Sequence, residues 1–287
     1  MIAVLKHELR NYFHSLTAYV FGAFLLAFVG IGAMLYNIQA AVSNFEFVLS
    51  FGSLIFVVIV PILTMRIIAE ERKQKTDQLL YSLPISTTQV IIGKYIALMT
   101  VYLIPLCIIS IYPIIFAQFG DVYLLTSYGS LLAFFIMGGA LISIGMFISS
   151  LTDNQGLAAG IGIAVILLNY YSVRLSEYVS STSIGSLIAI CVIILAIGAV
   201  IRYITKNTSL AYAFCIIAIV AIAISYFFYT DKFEGLLPSI MKKISLFERF
   251  YVIVNGVFDM TAIVYYITVI VFFLFLSVQS LEKRRYN

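Results

Sequence analysis

An all-α fold of membrane-spanning helices is predicted by three observations. Hydrophobic residues make up 63% of the 287 residues and charged residues only 10%, against about 25% in soluble domains. The 30 charged residues (17 Lys and Arg, 13 Asp and Glu) fall almost wholly between long uncharged stretches. Eight such stretches occur, at 11–45, 47–65, 95–120, 122–152, 154–173, 178–201, 207–230 and 260–281. A bilayer core about 30 Å thick takes about 20 apolar residues in a helix. Each stretch meets or nearly meets that length.

Taken in order, the predicted spans are 17–36, 47–65, 95–117, 128–149, 157–173, 185–204, 209–229 and 262–281. The first follows Lys6 and Arg10, as a secretory signal would. Its apolar run is too long for a signal core, so it reads as a retained span. The sixth and seventh spans meet at a tight turn, 205–208. An even count puts both termini on one side. A six-span version, with 185–229 re-entrant or interfacial, keeps that placement. The positive-inside rule then selects the side. With the N-terminus inside, twelve Lys and Arg face the cytoplasm and five face outward. Both termini are therefore expected in the cytoplasm.

The chain reads as one domain, 1–287, with two amphipathic additions. Within 1–16, Ile2, Leu5, Leu9, Tyr12 and Phe13 lie on one side of a helix and Lys6, His7, Arg10 and Asn11 on another. This pattern suits a helix lying in the interface. Within 230–260, Leu237, Ile240, Met241, Ile244, Phe247, Phe250, Val254 and Val257 recur at helical spacing over 236–258, giving an extracytoplasmic counterpart.

Composition also excludes functions. The longest polar-rich stretches, 66–94 and 231–259, are too short for a soluble catalytic domain. The net charge of +4 is confined to loops, so no basic face exists for nucleic acid. Cys107, Cys191 and Cys215 lie in apolar runs without CxxC spacing, and both histidines, His7 and His14, sit near the N-terminus. Neither a disulfide framework nor a metal site follows. An intramembrane enzyme needs ionisable or nucleophilic groups at depth. The spans hold no Asp, Glu, Lys, Arg or His there, and Ser110, Ser143 and Asn169 are the main buried polar candidates. Serines of this kind usually bond neighbouring helices, and Gly138 and Gly139 signal close helix packing.

The most informative polar segment is Arg66-Ile-Ile-Ala-Glu-Glu-Arg-Lys-Gln-Lys-Thr-Asp-Gln-Leu-Leu-Tyr-Ser-Leu-Pro84. Glu71 and Lys75 form a favourable i,i+4 pair on a helix. Leu79, Leu80 and Leu83 cluster beyond it, and Pro84 ends the helix. Ser86 and Gln89 fit a capping box for the next helix. The segment reads either as a solvated connector or as a charged helix whose leucines need a partner or the membrane surface.

Here the sequence resembles a family. Arg66-Ile-Ile-Ala-Glu-Glu-Arg-Lys, Thr76, Leu79-Leu80, Leu83-Pro84 and Gly93-Lys94 look like the signature of type-2 ATP-binding-cassette exporter permeases, closest to the gliding-motility subgroup. Ile148-Ser-Ser-Leu-Thr-Asp-Asn-Gln155, Phe247-Glu-Arg-Phe, Asn255-Gly-Val-Phe-Asp-Met and Leu281-Glu-Lys-Arg-Arg285 look like further parts of it. The pattern departs at Lys75, where the family usually has Gly, at Gln78, where it often has Glu, and in the two spans over 185–229. The resemblance implies that 66–84 is a coupling helix on an ATPase subunit. Arg66, Glu70, Glu71, Arg72, Lys73, Thr76, Leu79, Leu80, Leu83 and Pro84 would carry it. It implies an exporter in a bacterial cytoplasmic membrane, built from two permeases, identical or paralogous, and two cytoplasmic ATPases among membrane lipids. Its apolar path favours a lipid, peptide or antibiotic cargo. A P-loop needs an earlier glycine and a following Ser or Thr. Gly93-Lys94 is followed by Tyr95, so ATP and Mg would bind the partner, with no cofactor or catalytic group in this chain. An intramembrane enzyme and a non-transporting scaffold or sensor are the competing readings.

Overall fold

The computed structural model describes residues 1–76, 85–179, 181–205, 208–228, 230–257 and 259–285. Every regular element among them is helical. The elements fall into two compact units, 1–170 with 249–287, and 171–248.

In the first unit, α1 (Ile2–His14) is followed after Ser15 by α2 (Leu16–Ala33), which ends in a π-turn over Met34–Gln39. Then come α3 (Glu46–Ser53) and α4 (Phe56–Thr64), bent by 59°. The bend follows Gly52-Ser53, and Ser53 Oγ donates to the Ser50 carbonyl at 2.7 Å. A Gly/Ser pair is a usual cause of such a kink. Next are α5 (Ala69–Gln74), α6 (Thr87–Ile109), α7 (Tyr112–Phe116), α8 (Leu124–Leu151) and α9 (Gln155–Tyr178).

The second unit pairs α10 (Ser183–Thr205) with α11 (Thr208–Phe228). Two short helices close it, α12 (Thr230–Phe233) and α13 (Leu236–Ile244). Gly235 joins them with φ +65° and donates its N–H to the Ser181 carbonyl at 2.8 Å. The expected helix over 236–258 is broken: α13 stops at Ser245, whose extended backbone (φ −64°, ψ 121°) separates it from α14 (Leu246–Val254). The first unit resumes at Arg249 and ends with α15 (Met260–Arg285).

Among the described residues, five helical stretches are long and apolar enough to cross a bilayer: 16–39, 87–116, 124–151, 155–178 and 260–284. Glu46–Ser53 and the stretch 56–74, bent by 59°, form either a sixth, broken span or a re-entrant loop. Within α10 and α11, Ser183–Val192 and Tyr212–Phe228 are described as shorter apolar stretches. The expected turn between them includes 206 and 207, outside the described residues.

The centre of the first unit is α8, with 78% of its most apolar window buried. It packs against α4, α6 and α15. In lipid, helices gain little from excluding tails as apolar as leucine, so close packing decides. The α8 glycines provide it. A Cβ at Gly138 would sit 2.6 Å from the Tyr102 ring, and one at Gly145 would collide with Thr64 Oγ1. Tyr102 is fully buried, donates its hydroxyl to the Phe134 carbonyl at 2.9 Å and stacks on Phe135 at 5.7 Å. Phe134 lies 4.6 Å from Phe56 and 5.7 Å from Phe250.

Candidate functional site

The polar side chains of the first unit concentrate at one end of the helices, around α5. With six residues, α5 is too short to hold a helical shape unaided. Its N-terminus is capped from another helix. The amides of Ile68 and Ala69 donate to Ser149 Oγ at 3.3 and 3.1 Å, and Ser149 donates to the Met65 carbonyl at 3.1 Å. Two of the donors a helix start leaves open are thereby satisfied by α8. Glu70 and Glu71 lie in the first turn and Arg72 and Lys73 in the last, the order that complements the helix dipole.

The helix stops at Lys75; the expected stop at Pro84 lies outside the described residues. Lys75 is left-handed (φ 58°). Its N–H donates to the Arg72 carbonyl at 3.1 Å, and the Thr76 N–H to the Glu71 carbonyl at 3.0 Å. This bond pair is the Schellman closure, whose left-handed position usually holds glycine.

Glu71 is engaged differently from the expected pairing with Lys75. Lys94, near the start of α6 and 1% exposed, donates Nζ to Glu71 Oε1 at 2.7 Å. It also donates to Glu8 Oε1 of α1 at 2.6 Å and to the Ile67 carbonyl at 3.0 Å. One ammonium thus joins α1, α5 and α6. Gly93 makes the approach possible, since a Cβ there would lie 3.3 Å from Met1 O and from Val4. Removing one partner of a buried ion pair typically costs about 3–5 kcal/mol. Burial pushes the Glu71 carboxyl above its ordinary value, and the charge of Lys94 pulls it partly back. A cavity of about 960 Å³ opens beside the clamp, walled by Val4, His7, Glu8, Glu70, Glu71 and Gln74.

Two further ties surround it. Arg66 grips Glu70 at 2.7 and 3.1 Å and Thr17 of α2 at 2.8 Å. Tyr12 of α1 donates its hydroxyl to the Leu63 carbonyl of α4 at 3.0 Å. The C-terminal helix joins the same end. Thr87 donates to Glu282 at 2.7 Å, Ser280 to the Ser150 carbonyl at 2.9 Å, and Arg284 forks onto Asp153 at 2.6 and 2.8 Å. The guanidinium holds the Asp153 carboxyl below its usual range.

Among the expected site residues, Arg66, Glu70 and Glu71 point into internal ion pairs and Arg72 is buried. Lys73 is exposed and Thr76 half-buried. Leu79, Leu80, Leu83 and Pro84 lie outside the described residues. Sequence reasoning missed Glu8, Ser149, Glu282 and the clamping role of Lys94. It also passed over Glu46, which is 3% exposed at the start of α3 and accepts from Ser127 at 3.2 Å. The available signal for Lys94 was its place, a lone lysine at the edge of a long apolar run. Ser86 caps α6 as expected, accepting from the Gln89 amide at 3.3 Å. Ser143 and Ser110 bond carbonyls of their own helices or turns at 2.7 Å.

Comparison with known families identifies the fold to which these helices belong. A family model described as "ABC-2 family transporter protein" matches residues 33–176, half of the chain. No curated protein and no solved structure matches. The matched residues run from the end of α2 through α9 and include α5, the Lys94 turn and Ser149. With at least five membrane-length helices and this match, the chain is a multi-pass membrane protein of the ABC-2 transporter family, whose members are the membrane permease components of ATP-binding-cassette transporters.

Proposed function

We propose that this chain is the permease subunit of an ATP-driven exporter and that 66–84 is its coupling element. The observation that carries the reading is the anchoring of α5. Ser149, Lys94 and Arg66 hold it against three helices, while Lys73, Gln74 and Lys75 face outward. A short helix anchored on one side and open on the other can receive a displacement and pass it to the spans.

In this reading two copies or paralogues pair with two cytoplasmic ATPase subunits, which bind ATP and Mg. The subunit belongs to the gliding-motility-like branch of the family. It has eight spans, both termini cytoplasmic, in a bacterial cytoplasmic membrane. ATP binding draws the ATPases together, their clefts carry α5 and Leu79, Leu80 and Leu83, and the second and third spans tilt. Only a contact that differs between the two states can drive such a shift. Export of a lipid, peptide or antibiotic suits the apolar helices. The chain supplies no catalytic group.

The test is recovery of the ATPase. The Leu79→Asp, Leu80→Asp, Leu83→Asp triple variant inserts normally but loses the co-purifying ATPase from native membranes. Full recovery of the ATPase with the triple variant refutes the assignment.

A further inference from the structure

We propose that Lys94 is a positioning residue for energy coupling, locking α1, α5 and the start of α6 into one lever. This rests on the coupling role given to α5 above. Three acceptors from separate parts of the chain converge on a single Nζ: Glu8 Oε1, Glu71 Oε1 and the Ile67 carbonyl. Lys94 is 1% exposed, so its ammonium is held by these three acceptors and not by bulk water. A buried charge in this position has few alternative arrangements, which makes the joint stiff.

The surrounding contacts support one rigid piece. Gly93 admits α1 to van der Waals distance of α6. Arg66 ties α5 to the start of α2, and Tyr12 ties α1 to α4. With α5 only six residues long, its position is set by what it is clamped to. A push on its outward face therefore reaches α1 and α6 together through Lys94. The interfacial helix is then part of the transmission and not only an anchor.

The experiment uses the permease–ATPase complex co-purified from native membranes and placed in lipid nanodiscs. The native cysteines are replaced, and spin labels are placed at Arg10→Cys on α1 and Thr88→Cys at the start of α6, both exposed positions outside the proposed docking face. The neutral variant Glu8→Gln, Glu71→Gln, Lys94→Met leaves no buried charge unpaired. Glu8→Ala alone, which leaves no side-chain acceptor there, releases α1 while Lys94 keeps Glu71. In the otherwise unaltered labelled permease, the label separation is narrow and unchanged by a trapped ATP state. In both variants the ATPase is recovered, but the separation broadens or shifts with nucleotide. Permease-dependent ATP hydrolysis falls about fivefold or more in the neutral variant, the lower range of coupling effects. If both variants keep the narrow separation and the hydrolysis rate, Lys94 has no such role and the coupling assignment survives. If the unaltered permease recovers no ATPase, the coupling assignment itself falls, and this inference with it.

Discussion

At Lys75 one residue carries a conformation that its type disfavours. The left-handed backbone costs a non-glycine residue about 1–2 kcal/mol. Glycine removes that cost but loses more entropy on folding, by about 0.5–1 kcal/mol. Lys75→Gly is expected to raise stability by up to about 1 kcal/mol, the difference of these terms, read as an upward shift in detergent melting temperature. A fall in that temperature would mean that the Lys75 side chain makes a contact worth more than the strain. Lys94 shows the opposite case, a residue whose type is required by its neighbours. Lysine at an apolar edge is unremarkable until Glu8 and Glu71 are placed around it, 86 and 23 residues away.

At the scale of elements, α8 is built to be approached closely. Gly138, Gly139 and Gly145 face Tyr102, Tyr95 with Met99, and Thr64 respectively. Packing, not solvent exclusion, drives association of such helices in lipid. Gly138→Ala puts a methyl against the immobile Tyr102 ring. It is expected to destabilise by about 1–3 kcal/mol, the usual range for overpacking, while Gly129→Ala, with open space around it, is neutral. Thermal unfolding of the two variants side by side checks this. The pairing of α5 with Ser149 makes a second point about elements. The 148–155 segment, which in sequence resembles part of the family signature, also supplies the cap of a helix some 80 residues away.

For the molecule as a whole, the family match and the membrane-length helices leave the second unit as the open topological question, since the matched residues end at 176. Eight spans place Thr208 on the cytoplasmic side; a re-entrant or interfacial 185–229 places it outside. A cysteine at Thr208, in a chain freed of its own three cysteines, is expected to react with an impermeant thiol reagent only from the cytoplasmic side. Cysteines at Lys73 and Lys283 are expected to behave in the same way. Labelling of Thr208→Cys in intact cells would reduce the count to six. Labelling of Lys73→Cys there would invert the orientation and remove α5 from reach of any cytoplasmic ATPase.

The fold was largely legible in the sequence because its information is local. A backbone inside lipid must satisfy its own hydrogen bonds, so long uncharged runs had to be helices. The cap at Ser86 was equally local. The coupling segment could be located by its charges, but the roles of those charges could not be read, and the expected Glu71–Lys75 pair gave way to a Glu71–Lys94 pair. Spacing along one helix says nothing of a partner on another. Run length by itself determined helices and their membrane character, while eight stretches were expected where five or six membrane-length helices are described. Only tertiary packing decided that Glu8, Glu71 and Ile67 share one lysine and that Ser149 caps α5, because a buried charge or amide takes whichever partner the assembled helices bring within reach.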